Sequence, residues 1–243
     1  MGKFFKKKEK IDTRSPEDIR KDEKRARIRA RIRAFHFGQQ KKKLKYVYLA
    51  IAVLLLDQLS KWYIMERVIR PLYDGRRGES LSFFDWYLEW PSVLRFPSAI
   101  EVLPFFNIVM IWNSGISFGL LGNFSSYGYI ILIVISLFII GTFCLWMYEA
   151  KTREYMIPYA LVIGGALGNV IDRVRFQAVM DFLDFHANGV HFWSFNIADM
   201  AVVCGILSIL IISQVKTKKR KARYRKSYKE RQQKIYRYSN VGR

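Results

Sequence analysis

Residues 168–185 read GNVIDRVRFQAVMDFLDF. Asp172, Asp181 and Asp184, with Arg173 and Arg175, follow directly on the apolar, glycine-bearing run YALVIGGAL at 159–167. Carboxylates at the edge of such a run cost free energy unless they are paired or used. What the run is therefore decides how they are read.

Charge and composition set the frame. The chain has 243 residues, 51% of them hydrophobic, yet its formal net charge is +21. Residues 1–45 hold 18 Lys/Arg against 6 Asp/Glu, and residues 216–243 hold 13 against 1, so each end carries +12. Between them 10 basic residues face 13 acidic ones. The basicity belongs to two tails, 1–45 and 216–243, and the middle, 46–215, is a separate apolar domain.

That domain contains four runs near the length a bilayer demands, about 20 apolar residues at roughly 1.5 Å each. They lie at 46 to about 65, 127–148, 156 to about 171, and 197–215. Four such runs in one chain exclude a soluble domain. An even number of spans puts both termini on one side, and the two basic tails make that side the cytoplasm. The link EAKTRE (149–154), with Lys151 and Arg153, agrees. Residues 66–126 and 173–196 then face outward. The first run is expected to stay as an anchor: its basic leader is too long for a signal peptide, and it ends in DQLSKW without a small-residue cleavage site. Cys144 and Cys204 fall inside spans, so they are expected as core packing rather than as a disulfide or metal pair.

The outer segment between the first two spans is rich in aromatics. It carries SFFDWYLEWPSVLRFP (82–97) and VLPFFNIVMIWNSGISFG (102–119), broken by Pro91, Pro97 and Pro104. Trp and Tyr at this density suit the membrane interface, and alternation in FFNIVMIW predicts a short strand or hairpin before the NSG turn. The fold expected is an all-α polytopic membrane protein, four transmembrane helices with a small extracytoplasmic β/loop cap at about 70–124. In the N-terminal tail, Ser15-Pro16-Glu17-Asp18 reads as a helix start. The basic helix it opens suits anionic membrane lipids, and nothing beside it could read bases, so no nucleic acid partner is expected.

Ionisable groups at membrane depth carry the functional signal. Asp57 and Lys61, four apart, share one helix face and read as an ion pair. Asp172 and Asp199 each lie 16 residues from the cytoplasmic end of their runs, hence both about 24 Å up in a core of roughly 30 Å. Asp172 has Arg173 and Arg175 beside it, and a guanidinium partner suits it to bracing the turn. Asp181 sits among Val179, Met180, Phe182 and Leu183 with no adjacent cation, which favours sharing a proton with a second carboxylate such as Asp199. One ionised aspartate activating water, with a protonated partner polarising a carbonyl and later protonating the leaving amine, is aspartic protease chemistry. Ion or proton transport through intramembrane aspartates is the alternative at this point, and a binding protein anchored in the membrane and acting through its tails is a third. Ser117 has no base at readable spacing, and His186 and His191 near Asp184 read as loop histidines rather than metal ligands. No metal or cofactor is expected.

Taken in order, DQLSK (57–61), NSGISFG (113–119), GGALGNVIDR (164–173), VMDF (179–182) and FNIAD (195–199) resemble the motifs of the lipoprotein signal peptidases, the signal peptidase II family. The resemblance covers roughly residues 45–215. It implies a membrane aspartyl endopeptidase that removes signal peptides from bacterial prolipoproteins by cutting before a cysteine already carrying a diacylglyceryl group; a monomer is expected. Position by position, Asp181 and Asp199 match the catalytic pair. Asn113, Asn169 and Asn196 match asparagines suited to the substrate backbone or to orienting the carboxylates, with Gly115 in the first of these motifs. Asp57, Lys61, Asp172 and Arg173 match supporting polar positions. Gly164, Gly165 and Gly168 would admit a neighbouring helix or the substrate. The outer loop at 70–103 is longer than is usual in that family, and both basic tails lie outside the resemblance.

Overall fold

The computed structural model describes residues 15–73, 80–88, 99–115, 127–150, 152–187, 190–191 and 193–241. Ser117 and the rest of 116–126, Lys151, and parts of the long outer loop (74–79 and 89–98, with Pro91 and Pro97) lie outside the described residues. The chain divides into two units, Met1–Leu44 and Lys45–Arg243. In the first, Ser15 opens a helix as expected: the Asp18 N–H donates to Ser15 Oγ at 3.1 Å, and the hydroxyl donates back to the Asp18 carboxylate at 2.7 Å.

Four helices among the described residues are long and apolar enough to cross a membrane, at Lys43–Leu72, Gly128–Glu149, Arg153–Phe176 and Ile197–Lys234. They belong to α1 (Pro16–Tyr63), α4 (Gly128–Glu149), α5 (Met156–Phe176) and α6 (Ile197–Val241). A six-residue π-helical stretch, Ile64–Ile69, carries the first span on to the four-residue α2 (Arg70–Tyr73). The short α3 (Phe83–Leu88) lies between the first two spans.

Glycine explains the packing of α5. A Cβ on Gly164 would collide with the Ala50 carbonyl of α1, and one on Gly165 with the Ala198 carbonyl of α6. With no apolar driving force between helices in lipid, such close backbone approach is what brings them together. Ala160 and Val162 are almost fully buried between these neighbours. In contrast α4 buries only Gly128 and Met147 and exposes Ile131, Val134, Ile135 and Phe138, a surface suited to acyl chains. Cys144 and Cys204 are both exposed, not core residues as expected. A thiol behaves as a small hydrophobe, so a lipid-facing helix surface accepts it as readily as a core does.

The cap draws on more of the chain than 70–124. β1 (Ala99–Leu103) and β2 (Phe106–Asn113) form the anticipated hairpin, but β2 also pairs antiparallel with β3 (Val179–Ala187), which turns back to the two-residue β4 (Val190–His191). The sheet order is β1-β2-β3-β4. Gln177 makes this possible. It ends α5 in a left-handed conformation, φ 58°, with its N–H bonded to the Arg173 carbonyl, and the chain leaves the helix directly into β3.

Trp86 of α3, Met110 of β2, Phe176 of α5 and Met180 and Phe182 of β3 close one core under this sheet with Met65 and Ile69. Arg175 pins α3 down. Its guanidinium lies 4.1 Å from the Trp86 ring centre and 4.4 Å from that of Phe176, and its Nη2 donates to the Trp86 carbonyl at 2.6 Å.

Gly164→Leu and Gly165→Leu should therefore each cost about 1–3 kcal/mol or more, read as a lower melting temperature in detergent. Gly141→Leu on α4, where a Cβ meets nothing within 4 Å, should leave it unchanged or slightly raised.

Candidate active site

Two groups of polar side chains meet where α1, α5, α6 and β3 converge. The first is centred on Lys61, which is 1% exposed and lies 2.7 Å from a carboxylate oxygen of both Asp57 and Asp172, each 0% exposed. The predicted Asp57–Lys61 pair is thus one half of a triad. Asp172 takes its cation from Lys61 on another helix and not from Arg173 or Arg175, as the sequence led one to expect. Arg175 is turned onto the aromatics of α3, and Arg173 Nη1 reaches back to the Asn169 carbonyl at 3.4 Å.

The remaining lone pairs of the triad are also used. Gln58 Nε2 donates to Asp57 (3.1 Å) and Asp172 (2.9 Å), the Ala198 N–H at the start of α6 donates to Asp57 (2.9 Å), and the Met180 N–H of β3 donates to Asp172 (3.3 Å). Asp57 thereby caps the positive end of α6. Gly168 leaves room for it, since a Cβ there would stand 2.5 Å from Asp57 Oδ2.

The second group is held almost entirely by amides. Asp181, 2% exposed on β3, accepts from Asn113 Nδ2 of β2 at 3.0 Å and from Asn196 Nδ2 at 2.8 Å. Asp199, in the first turn of α6, accepts from Asn169 Nδ2 of α5 at 2.7 Å and from the Asn196 N–H at 3.3 Å. Asn196 bridges the two: besides these bonds its Nδ2 lies 3.3 Å from Asn169 Oδ1, and its Oδ1 accepts the Asp199 N–H at 2.9 Å. Gly115, at φ 74°, donates its N–H to Asn113 Oδ1 at 2.8 Å and so fixes which way that amide points. Arg173 lies within electrostatic reach of Asp199, Asp172 and Asp181.

Burial, with the Asp199 charge second, pushes the Asp181 carboxyl up to about 7, against the opposing pull of the Asn113 and Asn196 hydrogen bonds and of Lys61. Asp181, Asn113 and Gly115 open on a cavity of about 770 Å³, the size of an ordinary ligand site.

The structure brings together Asp181, Asp199, Asn113, Gly115, Asn169 and Asn196, and beside them Asp57, Lys61, Asp172 and Arg173. Gly165 stands apart, with its place in the α5–α6 contact. A profile of the Signal peptidase (SPase) II family matches residues 49–215 of the chain. The chain belongs to the signal peptidase II family. It is 35% identical over 178 residues to the lipoprotein signal peptidase of Nitrobacter hamburgensis, covering 71% of this chain and 93% of that one. With the lipoprotein signal peptidase of Anaplasma marginale it shares 34% over 172 residues, 71% and 85% of the two chains. A solved bacterial membrane enzyme, determined by the in meso method at 2.3 Å resolution, aligns with a TM-score of 0.53 at 24% identity over 71% of this chain and 89% of that chain. Family and helices together make this a protease and a multi-pass protein of the inner membrane.

Two buried side chains escaped the sequence reading, one at the Lys61 group and one outside both groups. Gln58 sits within DQLSK, and its adjacency to Asp57 is the signal that could have marked it. Glu66, fully buried in the π-helical stretch, holds Arg70 at 2.7 Å and the Leu81 N–H at 3.0 Å, which ties the outer segment to the first span.

Lys61→Met leaves two buried carboxylates without their cation and should destabilise the protein by about 3–5 kcal/mol in denaturant titration. Asp181 has the opposite signature. Because its folded pKa is raised, its proton stabilises the fold fully below about pH 4, and that contribution is lost as pH rises through about 7. Between pH 5 and 8 the melting temperature of wild type should therefore fall further than that of Asp181→Asn.

Proposed function

We infer that this protein is an aspartyl endopeptidase that removes signal peptides from diacylglyceryl-modified prolipoproteins, cutting before the lipidated cysteine. One observation carries the reading: two carboxylates share one lattice of asparagine donors, one of them, Asp181, lines a cavity, and no cation among the described residues bonds directly to it. Asp181, whose burial favours the proton, is the acid, and Asp199 is the base. Water between them attacks the carbonyl that precedes the modified cysteine. Asp199 takes the water's proton, and Asp181 donates its hydrogen bond to the carbonyl oxygen. As the tetrahedral adduct collapses, the cysteine amine leaves with a proton drawn from the pair. Asn113, Asn169 and Asn196 set the angle of each carboxylate before substrate arrives, and Arg173 limits the charge that builds up on the pair.

Both +12 tails lie in the cytoplasm by the positive-inside rule, which puts the sheet and the pair near the outer face. The precursor enters laterally, its acyl chains remaining among membrane lipids while the peptide reaches the cavity. The protein works as a monomer, without metal or cofactor. The transport reading would need Asp57, Asp172 and Asp199 all free to exchange ions, and Lys61 binds the first two.

In cleavage of a diacylglyceryl-modified precursor by purified protein, Asp181→Asn and Asp199→Asn should each lower the rate at least about 10³-fold. Asp172→Asn should retain measurable cutting. A dead Asp172→Asn beside an active Asp181→Asn would reject this pair, and a folded wild type that never cuts would reject the peptidase reading.

A further inference from the structure

The cavity that Asp181 opens on carries a second polar group, farther along the sheet. Asn107 pairs with Asp184 across β2 and β3, and Ile111 pairs with Asp181, with a register shift between. Cross-strand partners share a face, and Asn107 and Ile111, four residues apart, share one too. Asp181 and Asp184 line the same wall although they are an odd number of residues apart, and between them the N–H groups of Phe182 and Leu183 both bond the Phe195 carbonyl, an irregularity of β3.

Asp184 is 4% exposed, and its Oδ2 takes two contacts. It lies 2.8 Å from His191 Nδ1 and accepts from Asn107 Nδ2 at 3.2 Å. His186 backs the arrangement, its ring 4.9 Å from that of His191 and its Nε2 3.3 Å from Asn107 Oδ1. A carboxylate accepts, so Nδ1 of His191 is the donor, which fixes the ring and leaves Nε2 as the nitrogen on offer. No described residue hydrogen-bonds Nε2, the His191 side chain is 56% exposed, and the residue lines the cavity.

We propose that His191, oriented by Asp184 and Asn107, is a substrate-binding residue that hydrogen-bonds the extended peptide about three residues from the scissile bond. Asp184 stands three strand positions from Asp181, about 10 Å, and an extended substrate advances roughly 3.3–3.6 Å per residue. The ligand is peptide and not acyl chain, because hydrocarbon offers nothing to an imidazole nitrogen and would leave it desolvated and unpaired. This rests on the assignment of Asp181 and Asp199 as the cutting pair.

The test is steady-state cleavage of synthetic diacylglyceryl-modified precursor peptides by the full-length protein: one long peptide, and two cut back to two residues on one or the other side of the scissile bond. For the long peptide, His191→Ala should raise KM about 5–20-fold with kcat within about twofold, the mark of lost binding common to ground and transition states. His191→Asn, which keeps a donor for Asp184 but has nothing at the Nε2 position, should do the same without lowering the melting temperature. On one of the two shortened peptides wild type and both variants should converge. An unchanged KM, with or without a lower melting temperature, would make Asp184–His191 a brace of the β3–β4 hairpin and overturn the proposal. So would a difference that survives both truncations, or a loss of kcat at unaltered KM. Wild type that leaves the long peptide uncut, or Asp181→Asn that cuts it, removes the aspartyl reading and this one with it.

Discussion

The structure turns on a single ammonium group. Lys61 Nζ stands 2.7 Å from both Asp57 and Asp172 in a place with almost no exposure to solvent. Inside a bilayer nothing else can compensate those charges, so the three side chains must meet or none of them can be buried. Their meeting fixes most of the architecture. Asp57 and Lys61 come from α1 and Asp172 from α5, the start of α6 is capped by Asp57, and the first residues of β3 hang from Asp172 through Met180. Two carboxylates against one cation is an excess of one negative charge, absorbed by Gln58 and by two backbone N–H groups.

Around Asp181 and Asp199 the same residue type is used to another end. No cation among the described residues bonds to either carboxylate; the two are held by the amides of Asn113, Asn169 and Asn196 and by the Asn196 N–H. An amide fixes direction without supplying charge, and at Asp181 burial and the Asp199 charge outweigh the downward pull of the Asn113 and Asn196 hydrogen bonds. The result is a division of labour: paired aspartates that hold helices together, and a neighbouring set whose environment keeps a proton within reach of neutral pH. The proposed chemistry follows from the second environment, and its position follows from the first.

Much of this was legible in the sequence. The four spans follow from run length, the Asp57–Lys61 contact from i, i+4 spacing, and the isolation of Asp181 from its apolar neighbours. What was hidden depends on contacts between residues distant in the chain. The second partner of Lys61 lies 111 positions away at Asp172, whereas Arg175, one of the two nearby arginines the sequence offered, stacks on Trp86 and Phe176. The strand at 179–187 gives no alternating signal because residues 179–182 are buried on both faces, and its register with β2 depends on a bulge that no local pattern announces. Cys144 and Cys204 misled for a related reason: in lipid, apolar character does not separate a core from a surface. The Asp184, His191 and Asn107 cluster was visible only as loop histidines near an acid until the sheet brought Asn107 across.

The account stands on the claim that Asp181 and Asp199 share one proton in the working enzyme. The pH dependence of kcat/KM for cleavage of a diacylglyceryl-modified precursor tests that most directly, because the two limbs report the apparent pKa values of the pair as a unit. The account predicts a bell whose alkaline limb falls near pH 7, where Asp181 gives up its proton. A rate that keeps climbing to about pH 9, as an activated serine, cysteine or lysine would produce, would contradict it.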